Sequence, residues 1–143
     1  MKRFCSPLIY ILSGVILISA ITLAVLNWWP LNPIELKEVK ILNADNIVKI
    51  GHPILFRVSY AKHTSKHGFV VRQLINDRVV NYTTIASRVA TGEGQKIGRI
   101  HTSVGDIPGT YHVKYTVVYK YFGFREVATS AVSDEFELVE RGR

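Results

Sequence analysis

Two hydrophobic rhythms divide the chain. Residues 8–29, LIYILSGVILISAITLAVLNWW, contain no charged residue, and a helix rising 1.5 Å per residue needs about twenty such positions to cross a hydrocarbon layer roughly 30 Å thick. From Leu36 onward apolar and polar positions alternate, and clusters of Gly, Pro, Asn and Asp separate the runs. That is the rhythm of short strands. No segment after Pro33 repeats at the 3.6-residue helical period.

The alternation predicts particular strands. LKEVKILN and NIVKI read as one strand broken near Ala44 and Asp45. In PILFRVSY, Ile54, Phe56, Val58 and Tyr60 share one face, and Leu55, Arg57 and Ser59 the other. GFVVRQLI and RVVNYTTI, joined through Asn76 and Asp77, read as a hairpin. Gly92, Glu93 and Gly94 break the chain before QKIGRIHTSV. TYHVKYTVVYKY places Tyr111, Val113, Tyr115, Val117 and Tyr119 toward a core, and a last strand runs through Ser133 to Val139. Seven to nine strands in roughly 105 residues is the density of an antiparallel sandwich. The expected fold is therefore all-β, a sandwich preceded by one N-terminal transmembrane helix.

The apolar run is too long for the core of a removable secretory signal, which spans about 7 to 15 residues. Ala20 and Ala24, the small residues a cleavage site would use, lie inside the run rather than after it. Trp28 and Trp29 suit a membrane interface, where an indole buries its body and keeps its N–H wet. Pro30 and Pro33 end the helix because each lacks a backbone donor. Lys2 and Arg3 flank the other end, so the positive-inside rule puts the N-terminus in the cytoplasm. The expected layout is a cytoplasmic N-terminus (1–7), a signal-anchor helix (8–29), a short Pro-containing linker (30–35) and an extracytoplasmic domain (36–143). With Cys5 the only cysteine, that domain holds no disulfide.

The phrase DIPGTYHVKY makes a turn at Asp106, Pro108 and Gly109 and starts a strand at Tyr111. It resembles the tyrosine corner of immunoglobulin-like domains, which gives Tyr111 a structural role. The paired cysteines and core tryptophan of antibody domains are missing. Along the stretches VKIGHPILFRVSYAKHT, VVRQLINDRVVNYT, PGTYHVKYTVVYKYFGFRE and SDEFELVE, the chain resembles short membrane-anchored proteins of tailed bacteriophages and prophages, built as a hydrophobic helix followed by a small immunoglobulin-like β-sandwich. That resemblance implies a bacterial host, and a cysteine pair in relatives where this chain has Ala61 and a residue near Gly94. It implies no chemistry.

Charge narrows the picture further. The chain carries 18 Lys and Arg against 11 Asp and Glu, net +7, and residues 49–125 hold twelve of the cations and only three acids. Arg57, Arg72, Lys114 and Lys120 fall on expected strands; if those strands share a sheet, the four make a basic face for phosphate or carboxylate groups. His63 and His67 lie four apart but between Lys62 and Lys66, which oppose a divalent ion, and His101 and His112 have no carboxylate or thiol beside them. No nucleophile elbow is present, and Asp77, Glu93 and Asp106 sit in expected turns rather than as a catalytic pair. No cofactor, metal or small-molecule substrate is expected, and the location disfavours nucleic acid.

The sequence therefore points to a non-enzymatic single-pass protein of the bacterial cytoplasmic membrane. Its basic domain would bind a protein or an anionic envelope component, in superinfection exclusion, envelope modulation or lysis. The alternative is a secreted or virion-associated structural protein whose signal is cleaved.

Overall fold

The computed structural model of the protein describes residues 5–28, 32–77, 80–103, 105–121 and 125–141, without the side chains of 5, 6, 8, 26–28 and 80–83. Helix α1 spans Cys5–Trp28. The strands are β1 (Ile34–Ile41), β2 (Ile47–Lys49), β3 (Pro53–Lys62), β4 (Phe69–Ile75), β5 (Val80–Ala86), β6 (Gly92–His101), β7 (Gly109–Tyr121), β8 (Arg125–Val132) and β9 (Phe136–Val139). The chain divides into two units, Met1–Leu31 and Asn32–Arg143.

The helix is apolar on every side. Ile9, Leu12, Ile16, Ile21 and Leu23 are each more than half exposed, and a helix without a polar face has no amphipathic stripe with which to pack on a soluble core. Among the described residues, no helix is long and apolar enough to cross a membrane. The span expected over 8–29 is therefore not shown. The helix backbone itself is 24 residues long.

In the second unit the strands form two sheets, ordered β1-β3-β6 and β2-β9-β7-β4-β5, with β8 also paired to β7. This is an all-β, sandwich-like architecture. The break expected near Ala44 and Asp45 is a single turn, Ala44–Asn46, in which Asp45 (φ 54°) and Asn46 (φ 53°) take the left-handed conformation their short polar side chains tolerate. It moves the chain from one sheet to the other. Before the turn, Asn43 ties β1 to β3, its Oδ1 accepting from the Leu55 N–H at 2.7 Å. After it, β2 runs parallel to β9. All other strand pairs are antiparallel.

The core comes chiefly from β3 and β7. Ile54, Phe56, Val58 and Tyr60 from one strand, and Tyr111, Val113, Tyr115, Val117, Tyr119 and Tyr121 from the other, are all buried. The rings of Phe56 and Tyr115 meet edge to face across the two sheets, centroids 6.0 Å apart. Tyr111 donates its hydroxyl to the Ile107 carbonyl at 2.8 Å, closing the turn before β7.

Two strands differ from expectation. Gly92, Glu93 and Gly94 do not interrupt the chain; they begin β6. A Cβ on Gly94 would lie 2.7 Å from the Tyr60 hydroxyl, and one on Gly98 only 2.2 Å from the Phe56 ring. These glycines face Tyr60 and Phe56 in register, and their missing side chains make the space those rings occupy. Strand β8 has no counterpart in the sequence reading, and Ser133 belongs to the break between β8 and β9. Its Oγ accepts from the Val113 N–H at 2.9 Å, bridging the gap in pairing along β7.

Candidate functional site

The four cations singled out in the sequence are not brought together. Arg57 stands on β3, outward from the three-stranded sheet, opposite Lys40 and Ile97. Lys114 and Lys120 stand outward on β7 in the six-stranded sheet, with Lys120 Nζ 4.0 Å from Glu126. Arg72 is on β4 and faces inward with Val70 and Leu74, which are buried. A single basic face would need one sheet and one side; these four occupy two sheets and both sides.

What the fold assembles instead is a cationic cleft around Arg72. Strands β5 and β6 are the free edges of the two sheets, and along that open side lies a partly enclosed cavity of about 140 Å³. Val58, Gly98 and Tyr115 line it from the core, Ile85 and Ile97 border it, Arg72 and Lys96 supply charge, and Arg99, on the outward side of β6, contributes its backbone carbonyl at the rim. No acidic residue lines it. Arg72 Nη1 donates to the Arg99 carbonyl at 2.6 Å, a bridge from one sheet to the other. Its Nε–H is buried and has no acceptor among the described residues. Such a donor is costly to bury unless something pairs with it.

Tyr115 completes the floor. It sits opposite Arg72 in the β4–β7 register, and burial raises its pKa to about 12, with the Arg72 charge pulling the other way and Tyr60 adding to the rise. Lys96 reaches the cleft because β6 turns Gly94, Lys96 and Gly98 to the inner side. Lys96 and Arg99 were missed in the sequence. The signal for Lys96 was the alternation within QKIGRIH, obscured by the glycines at the neighbouring inward positions; Arg99 has the opposite parity and no local signal.

The remaining candidates fall elsewhere. His101 is paired with Pro53 in one sheet and His112 with Ile75 in the other, so they do not adjoin, and, against expectation, His112 has a carboxylate beside it, its Nε2 lying 3.6 Å from Glu135 Oε1. Among the described residues, no group of three His, Cys, Asp or Glu could hold a metal ion. Glu93 is engaged by Lys37 at 2.6 Å, a contact that holds its carboxyl below the ordinary range, and Asp106 Oδ2 accepts from the Ser103 N–H at 2.7 Å. Trp28 is the last residue of α1 and its side chain lies outside the described set; Trp29 lies outside the described residues altogether. No protein-family model matches the chain, and no curated protein is similar to it.

Proposed function

We propose that the protein is a phage-encoded, single-pass protein of the bacterial cytoplasmic membrane whose extracytoplasmic immunoglobulin-like domain captures a partner through an anionic group seated in the Arg72–Lys96–Arg99 cleft. The role is binding, not catalysis. The observation that carries it is the cleft itself: two inward cations, Arg72 and Lys96, meet at one small cavity with Arg99 at its rim, and among the described residues Arg72 Nε–H has no acceptor and no carboxylate lines the cavity. A carboxylate or phosphate would give Arg72 the acceptor its Nε–H lacks.

Several features support the immunoglobulin-like assignment. The first strand switches sheets and its continuation runs parallel to the last, and β7 carries a tyrosine whose hydroxyl ties the preceding turn. The cysteine pair that the phage resemblance implies also fits the register, since Ala61 stands opposite Glu93 and Tyr60 opposite Gly94. For the anchor, support comes from the 24-residue, charge-free helix α1, whose described side chains are apolar on all sides.

A second reading follows from position. Inward charges on an edge strand keep that edge from pairing with other chains, and Lys96 lies on such an edge. Photo-crosslinking in the host membrane separates the two. With a crosslinker at the exposed Ile97, a capture reading gives a discrete adduct that Lys96→Glu/Arg99→Glu abolishes. If the adduct is unaffected by the charge reversal, or the variant merely self-associates, the charges serve only to guard the edge.

A further inference from the structure

The two ends of the sandwich differ in charge, and the difference is tied to where the chain comes in. Ile34 pairs with Lys62 at the end of β3, and the His63 N–H donates to the Pro33 carbonyl at 2.9 Å. Residue 32 therefore joins the domain at the end formed by connections 63–68 and 87–91 and by the β7–β8 turn, here called the proximal end. Only four Cα steps separate Trp28, the end of α1, from Asn32. At most about 3.6 Å each, they span no more than about 14 Å.

By sequence, the proximal connections 63–68 and 87–91 contain Lys66, Arg88, His63 and His67 and no acid, and Lys120 and Arg125 flank the third. The distal connections 50–52, 76–79 and 102–108 contain Asp77 and Asp106 against Arg78 and His52. The acids near this proximal end stand beside basic residues: Glu93 lies 2.6 Å from Lys37, Glu126 4.0 Å from Lys120, and Glu35 3.9 Å from His63.

The proximal surface is also built to hold its shape. Buried Lys62 donates from Nζ to the Val89 carbonyl at 3.0 Å, Thr91 Oγ1 to the Thr64 carbonyl at 3.2 Å, and the Ser87 N–H to the Gly68 carbonyl at 2.8 Å. These bonds fasten the two basic connections to each other. On the third side the fully buried Tyr121 ring gathers two like charges, Lys66 Nζ at 4.2 Å from its centroid and Arg125 at 5.7 Å. Two cations brought to one ring repel each other, and a nearby anionic surface relieves that repulsion.

We infer that the proximal end is a headgroup-docking surface: Lys66, Arg88 and Arg125 rest on anionic lipid phosphates and seat the domain upright on the bilayer, with the Arg72 cleft along its side. This rests on the anchoring by α1 proposed above. Anionic headgroups attract basic residues within a Debye length of the surface, about 8 Å at physiological salt. In this proposal the proximal end lies within that layer and the acidic distal end outside it.

The test uses the full chain in lipid nanodiscs, Cys5→Ser, with a donor dye on Ser65→Cys (proximal) or Ile107→Cys (distal) and an acceptor on lipid headgroups. With phosphatidylglycerol present, the proximal dye transfers strongly and the distal one weakly. Transfer at the proximal dye falls on exchange to phosphatidylcholine alone, and on raising salt to roughly 0.5 M. Lys66→Glu/Arg88→Glu removes the lipid dependence. Equal proximal transfer in both lipids, or no effect of the double variant, overturns the inference, as does loss of the effect to inorganic phosphate at constant ionic strength, which would assign the cations to free anions. Failure of the chain to co-elute with nanodiscs sinks the anchor instead. Docking is then read by flotation of the full chain with phosphatidylglycerol vesicles, where the double variant should weaken partition roughly thirtyfold; no difference overturns it.

Discussion

Strands β6 and β7 both border the core, and they fill it in opposite ways. Strand β7 supplies its own side chains: six alternate residues from Tyr111 to Tyr121 are buried. Strand β6 offers Gly94, Lys96 and Gly98 inward and fully buries only Ile100. Rings from β3 take the vacated space. A strand that lends its volume to a neighbour leaves its own edge thin, and here that edge is where the cationic cleft opens. The contrast shows how one sandwich can be well packed on one side and receptive on the other.

The most damaging way to break this arrangement is to remove the borrowed ring. Phe56→Ala leaves a cavity on β6 and at Tyr115, and should cost about 3–5 kcal/mol in urea unfolding. Gly98→Ala attacks the same contact from the other strand; its Cβ cannot stand 2.2 Å from the Phe56 ring, and the shift it forces should cost about 1–3 kcal/mol. If β6 and β3 share the space as described, the two losses are strongly non-additive in the double variant. Simple additivity would mean that Gly98 serves some other purpose.

Smaller effects sharpen the other half of the comparison. Tyr111→Phe deletes one hydrogen bond to the Ile107 carbonyl and should cost about 1 kcal/mol with no change in partner capture. On β7, burial raises the Tyr115 and Tyr119 phenols from 10.0 to about 12. The unfolded chain then ionises first, so this contribution is complete below about pH 10 and is lost as pH rises from about 10 to about 12. Lys62, held below its ordinary value by burial, acts in the opposite sense. The fall in melting temperature, followed with phenolate absorbance, should therefore be cleaner in Lys62→Met. Least of all, Lys96→Glu/Arg99→Glu should change stability by no more than about 0.5 kcal/mol per site while abolishing capture at Ile97.

The same contrast explains what could be read from the chain. Strands β3 and β7 were legible because a large apolar residue stands at every second position. Strand β8 was not: Val127 and Ala131 pack toward the core, but Ala128 and Val132 on the other face are apolar too, which erases the alternation. The glycines of β6 read as a chain break because the rings that justify them lie more than thirty residues earlier in sequence. Arg72 was picked out correctly as a strand residue, yet its inward direction follows from β4's register with β7 and not from FVVRQLI alone, where apolar residues flank it on both faces. The basic cluster of Arg72, Lys96 and Arg99 depends on two sheets meeting edge to edge, a relation no local pattern encodes.

Both the capture and the docking proposals need α1 to hold the domain at a membrane. Alkaline carbonate extraction of host membranes, with the mass of the intact chain determined in each fraction, tests this most directly. The chain is predicted to stay in the membrane pellet at its full 143-residue mass. Release of the full-length polypeptide into the supernatant, or recovery of a species lacking the apolar segment, would contradict it.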